Sequence, residues 1–222
     1  MRAPPAMRGG TAVRWASLVL GLFLFSAGIV AILESRLGLS PWDVLNQGVS
    51  EHTPLSFGQA NIAIALVVLV GGLALKAPIG VGTVANAILI GAFIDLLLRI
   101  GAVTQLSDQS LGIRIVLLFA GIGVIGLGSG FYIGASFGAG PRDSLMLVLA
   151  DRSRFRIGLV RAGLEGCALV VGWALGGTVG LGTVAFALLI GPAVEGSFWL
   201  LERVGLARPS GLKVDLGDEP AY

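Results

Sequence analysis

Asp43 and Asp143 stand one hundred residues apart in the same local context, each two residues after a proline (Pro41 and Pro141). Carboxylates presented at the starts of two short helices can bind a cation, a proton or a polar group of a solute. The same spacing fits helix capping, where a first-turn carboxylate stabilises free N–H groups by about 0.3–1 kcal/mol. Arg161 and Glu165 form a second candidate. They lie four residues apart in an otherwise apolar stretch, so they share a helix face and can pair. A charge at bilayer depth costs at least about 2.5–3.5 kcal/mol, so such residues are by default paired and often functional. The structural alternative is a pair near a helix end, with Arg161 snorkelling to the interface. Asn61 and Asn86 each can hydrogen-bond a solute or tie two helices together, and Gln59 shares that choice. The candidate substrate-binding set is therefore Asp43, Asp143, Arg161, Glu165, Asn61 and Asn86. His52 and Cys167 are the single histidine and the single cysteine. No nucleophile–base pair and no metal-ligand cluster stands out, so the sequence leads to no expected catalytic residue, metal or cofactor.

These residues sit on a duplicated frame. Residues 80–91 read GVGTVANAILIG and residues 180–191 read GLGTVAFALLIG, identical at nine of twelve positions. The offset extends to Gly21, Gly28, Gly38, Pro41, Asp43, Gly58 and Gly72, which match Gly121, Gly128, Gly138, Pro141, Asp143, Gly158 and Gly172. The chain is two copies of one module. Gly82, Thr83, Ala87 and Gly91 recur as Gly182, Thr183, Ala187 and Gly191, a spacing that makes a small-residue seam for close helix packing. GVGT and GLGT are not phosphate cradles, because no G-K-[ST] follows either. The copies differ where polarity changes: Asn61 and Ala65 against Arg161 and Glu165, and Asn86 against Phe186.

Composition says where the frame lives. Of the 222 residues 55% are hydrophobic and 13% charged, with mean hydropathy +0.90. A soluble domain carries roughly 25% charged residues, so this is an integral membrane protein in contact with lipid, and nucleic acid is not an expected partner. Apolar runs of spanning length fall at about 15–33, 57–75, 83–98, 115–136, 157–175 and 183–200, interrupted only by Asp95, Arg161, Glu165 and Glu195. A cleaved leader is disfavoured, because the first run is long and its copy lies mid-chain. Between the first and second run of each module lies a helix too short to span, from Pro41 and from Pro141, with Ser40 as N-cap of the first. The expected fold is an all-α membrane protein: six transmembrane helices as two inverted three-helix repeats, each with a half-helix after its first span. Lipid cannot satisfy an open sheet edge.

The expected organisation is an N-terminal segment 1–14, a first repeat 15–100, a connector 101–113, a second repeat 114–203 and a polar, disordered tail 204–222. Eleven of the fifteen basic residues fall on one side of this scheme and three on the other, which places both termini in the cytoplasm. Trp15, Trp42 and Trp199 read as interfacial anchors, and Asp95 and Glu195 as matched acids near helix ends.

The segments LGLSPWDVLNQGVS, PIGVGTVANAILIGAFID, GAGPRDSLM and GGTVGLGTVAFALLIGP, within about residues 20–200, resemble the YczE membrane proteins, related to the YitT group. The resemblance implies a bacterial inner-membrane location and brings no activity with it. The module plan leads to an inverted-repeat transporter or permease for a small polar solute. A non-transporting accessory or capture subunit working with a membrane partner is the alternative, and a homodimer through the glycine seams is open. A membrane enzyme is disfavoured. Without a nucleotide-binding motif, transport would draw on a gradient or a partner.

Overall fold

The computed structural model describes residues 6–153 and 155–208. Arg2, Arg154, Lys213 and the tail beyond Arg208 lie outside them. Nine α-helices are described: α1 (Thr11–Ser35), α2 (Pro41–His52), α3 (Phe57–Ala74), α4 (Val81–Leu98), α5 (Gly101–Thr104), α6 (Leu111–Gly134), α7 (Pro141–Ser153), α8 (Ile157–Ala174) and α9 (Leu181–Arg203). Six of them, α1, α3, α4, α6, α8 and α9, are long and apolar enough to cross a membrane. The chain is a multi-span helical membrane protein. α2 and α7 are the short helices expected after each first span. The connector is not plain loop: it holds α5 and a 3-10 turn over Gln105–Asp108. Residues 204–208 are ordered as well. β1 (Ala6–Met7) pairs antiparallel with β2 (Ala207–Arg208), holding the segment before α1 beside the segment after α9. The lipid argument against sheet edges does not reach this two-residue bridge, which lies outside the apolar spans.

The turns repeat with the sequence. Positive φ occurs at Arg36 and Ser136, at Gly38 and Gly138, and at Lys76 and Gly176, three matched pairs. At Gly38 (φ +116°) and Gly138 (φ +119°) a side chain is both strained and blocked, because the backbone of Gly180 or Gly80 passes within contact distance.

The centre is the α1–α6 crossing, and it is reciprocal. A methyl group on Gly21 would stand 2.7 Å from the Gly128 carbonyl oxygen, and one on Gly28 would stand 2.6 Å from that of Gly121. Contact of 21 with 128 and of 28 with 121 is the pattern of two antiparallel helices crossing on their glycines, as small residues allow. The ends are tied the same way. Arg14 Nε donates to Ala135 O at 2.9 Å and Arg114 Nε donates to Ser35 O at 2.7 Å. Each arginine satisfies last-turn carbonyls of the other module's first helix. Leu18, Leu22, Ile29, Ile32, Leu118, Ile122 and Ile125 fill the core around this crossing.

The best-matched stretches are clamps between modules. Gly82 N donates to Phe137 O at 2.9 Å, and Gly182 N donates to Leu37 O at 2.7 Å. Thr83 Oγ1 accepts from Gly80 N and donates to Ala139 O at 2.6 Å. Thr183 Oγ1 accepts from Gly180 N. So the start of α4 holds the loop that leads into α7, and the start of α9 holds the loop that leads into α2. Each module thereby fixes the other's short helix. α2 is also pressed on α8, where a methyl on Gly48 would meet Gly172 O at 2.7 Å.

Candidate functional site

The clamps bring the N-termini of α2 and α7 together over a cavity of about 240 Å³. All six candidate residues, Asp43, Asp143, Arg161, Glu165, Asn61 and Asn86, line it. So do matched positions throughout the two modules: Phe25 and Ile125, Ile29 and Ser129, Ser40 and Gly140, Pro41 and Pro141, Trp42 and Arg142, Ile90 and Ile190. Every helix except α5 contributes. The cavity thus sits at the junction of the two copies, not within either.

The two aspartates differ in their surroundings. Asp43 is buried, hydrogen-bonded to the Ser40 hydroxyl and accepting from Asn46 Nδ2 at 3.1 Å. Ser40 Oγ also accepts from Asp43 N at 3.3 Å. The capping alternative therefore describes Asp43 well: its oxygens are engaged within α2. Gly140 replaces the capping serine in the second copy. Asp143 has one hydrogen bond among the described residues, a long one from Tyr132 Oη at 3.4 Å. The loss of one hydroxyl leaves the second carboxylate facing the cavity.

Arg161 Nε donates to Glu165 Oε1 at 2.9 Å, the i, i+4 pair expected of α8. Its side chains are 51% and 34% exposed. Asn61 and Asn86 make no hydrogen bond among the described residues, and both present their amides to the cavity. Neither ties two helices together. Gln59 has another job: its Oε1 accepts from Ser56 N at 3.1 Å, closing the capping box of α3.

Two residues were assigned elsewhere by sequence reasoning. Trp42, read as an interfacial anchor, lies in the cavity wall. Arg142, counted among loop charges, lies above its ring, with the guanidinium carbon 4.6 Å from the ring centroid. The available signal was their register: they are matched positions, adjacent to the matched aspartates.

The packing seam holds in one copy only. Gly82, Thr83, Ala87 and Gly91 are buried, and so are Gly182 and Thr183. Ala187 and Gly191 are exposed, and a methyl group on Gly191 would meet nothing within 4 Å. In the first copy Gly91 touches Gly58, the closest approach of α3 to α4. Asp95 locks it, accepting from Gly58 N at 2.9 Å and from the Ser56 hydroxyl. Asp95 is therefore a helix cap rather than a free interfacial acid. Its counterpart Glu195 is exposed, and the space at Gly158 is open.

A helical membrane protein whose two copies enclose a charged cavity is the class these observations define. The family follows from comparison with known proteins. Residues 12–197 match the model of DUF6198, described as a family of unknown function, and the chain belongs to that family. It is 35% identical over 187 residues to "Uncharacterized membrane protein YczE" of Bacillus subtilis (strain 168), covering 83% of this chain and 85% of that one. It is 36% identical over 178 residues to an uncharacterized protein of Haemophilus influenzae, with 80% of each chain covered. It is 30% identical over 191 residues to "Uncharacterized protein YyaS" of Bacillus subtilis, covering 85% and 94%. No solved structure matches the chain.

Proposed function

We propose that the protein is an inner-membrane transporter of inverted-repeat type for a small polar solute, bound in the cavity between the two modules. The observation that carries this reading is the cavity itself: two short-helix N-termini, with unpartnered amides and an under-bonded Asp143, converge on one space inside the fold. Lipid does not reward buried polar groups without partners, so their concentration there calls for a polar occupant. At about 240 Å³ the space suits a solute smaller than a typical drug-sized ligand.

The reciprocal, antiparallel α1–α6 contacts support an inverted repeat, since each contact recurs with the modules exchanged. The site would then lie where such repeats meet. Removing Arg142 from the loop charges leaves ten basic residues on the side of the termini against three on the other, so the termini remain cytoplasmic in this reading. α8 then starts at the cytoplasmic face, and the open space at Gly158 and Gly191 is a cytoplasmic opening. α3 and α4, shut at Gly58 and Gly91, form the matching gate on the other face. Transport would exchange which pair is shut.

Accessibility of the cavity tests this without a known substrate. In a Cys167→Ser background, Asn61→Cys is labelled with a membrane-impermeant maleimide in right-side-out and in inside-out vesicles. Labelling from both sides is expected. Reaction from one side only would overturn transport and leave a one-sided binding cavity.

A further inference from the structure

We infer that the solute is a small zwitterion of the amino-acid type, its carboxylate held by Arg142 and its ammonium by Asp143, with an apolar body against the cavity wall. This inference rests on the reading of the cavity as a solute site. The cavity holds five ionisable groups of fixed sign: Asp43, Asp143 and Glu165 against Arg142 and Arg161. Three of them have partners. Arg161 and Glu165 pair with each other, and Asp43 is engaged by Ser40 and Asn46. Two do not.

Arg142 makes no hydrogen bond or ion pair among the described residues; its contact is the face of Trp42. A guanidinium stacked on an indole keeps its N–H edge free, and that edge matches a carboxylate in fork geometry. Asp143, the next residue along α7, keeps nearly all of its acceptor capacity, since the Tyr132 contact is 3.4 Å long. Neighbouring helical residues diverge, so the two groups make no contact ion pair with each other, although each feels opposite charge in the cavity, Arg142 from Asp43 and Asp143, and Asp143 from Arg161 and Arg142. They present one positive and one negative pole a short distance apart. A simple anion would satisfy Arg142 and leave Asp143 repelling it. A simple cation would do the reverse. A molecule carrying an ammonium and a carboxylate on one carbon satisfies both.

The remaining wall explains the body of the solute. Phe25, Ile29, Ile90, Phe186 and Ile190 are apolar and come from both modules. They suit an aliphatic or aromatic side chain. The first copy could not build this site, because Trp42 stands where Arg142 does and Ser40 occupies Asp43.

The test is binding to the purified full chain in nanodiscs, read by calorimetry or thermal shift. The probes are leucine, valine and methionine, with isocaproate and isoamylamine, which are leucine without its ammonium and without its carboxylate. At least one amino acid is expected to bind, and for leucine each one-ended analogue should bind about thirtyfold more weakly, the loss of one desolvated charge partner. Arg142→Gln should erase the preference for leucine over isoamylamine but keep that over isocaproate. Asp143→Asn should do the opposite. Binding of isocaproate or isoamylamine as tight as leucine overturns the zwitterion, and so does failure of all three amino acids to bind. The analogue comparison uses the unmodified chain, so it stands even where a variant fails to fold. Two-sided labelling of Asn61→Cys together with failed amino-acid binding would leave transport intact and this substrate class wrong. Binding with one-sided labelling would do the reverse.

Discussion

In the first module α3 and α4 meet backbone to backbone, and a methyl group on Gly58 would overlap the carbonyl oxygen of Gly91. In the second module the same two glycines, Gly158 and Gly191, face open space. Asp95 caps α3 across the first contact, while Glu195, one methylene longer, stands exposed beside the second. The glycines match but their neighbours do not: Ser56, Phe57, Gln59 and Asn61 stand against Arg156, Ile157, Leu159 and Arg161, and Ala92 against Pro192, so local sequence contributes to the difference. Under the proposed transport function, one interface shut and its counterpart open would be the two halves of a gate. Gly158 and Gly191 have no packing partner in the structure described; in the proposed transport cycle they would gain one where α8 closes on α9.

Substitution at the paired glycines should separate the copies most. Gly58→Val should destabilise by about 1–3 kcal/mol, because the carbonyl of Gly91 cannot be displaced cheaply. Gly158→Val should leave thermal stability in nanodiscs almost unchanged, yet abolish any flux by blocking closure. Equal loss of stability in both variants would show that α8 and α9 are packed in the resting protein, and the comparison would fall.

The acids give the next contrast. Asp95→Ala removes a cap from the first turn of α3, costing about 0.5–2 kcal/mol by chemical or thermal unfolding. Glu195→Ala should cost little by the same measurement, since the side chain is exposed. If Glu195 caps α8 only in the closed state, its loss appears as slower solute flux in proteoliposomes. Unchanged flux would remove it from the gate.

A small stability effect is also expected at Arg161 and Glu165. Their pair is half exposed, and such pairs are worth about 0.2–1 kcal/mol. An Arg161→Ala, Glu165→Ala double variant should fold and lose uptake. Unchanged uptake would take the pair out of the solute path and leave Arg142 and Asp143 as its charged elements.

Much of this was legible in the chain. Runs of apolar residues fixed the spans to within a few residues, because bilayer thickness sets a length and charges mark its ends. Pro41 and Pro141 placed the starts of both short helices, since proline fits the first helical turn. All six candidate polar residues lie on one cavity for a related reason: in lipid an embedded polar side chain has to face protein or a cavity, so picking them by hydropathy picks the interior.

What the chain alone could not settle was pairing. Gly21 and Gly128, or Thr83 and Ala139, meet only when the modules dock, and no local rule links positions so far apart. Arg142 looked like one more loop cation until the fold set it over Trp42. Asp43 and Asp143 looked equivalent until a neighbouring Ser40 against Gly140 decided which carboxylate is engaged. The same seam of small residues proved shut in one copy and open in the other. Local sequence determined the helices, their ends and their polar faces, because those depend on transfer energies and caps within a few residues. Which side chains are satisfied and which are left free depends on what the second copy brings to the junction, and only the tertiary structure decides that.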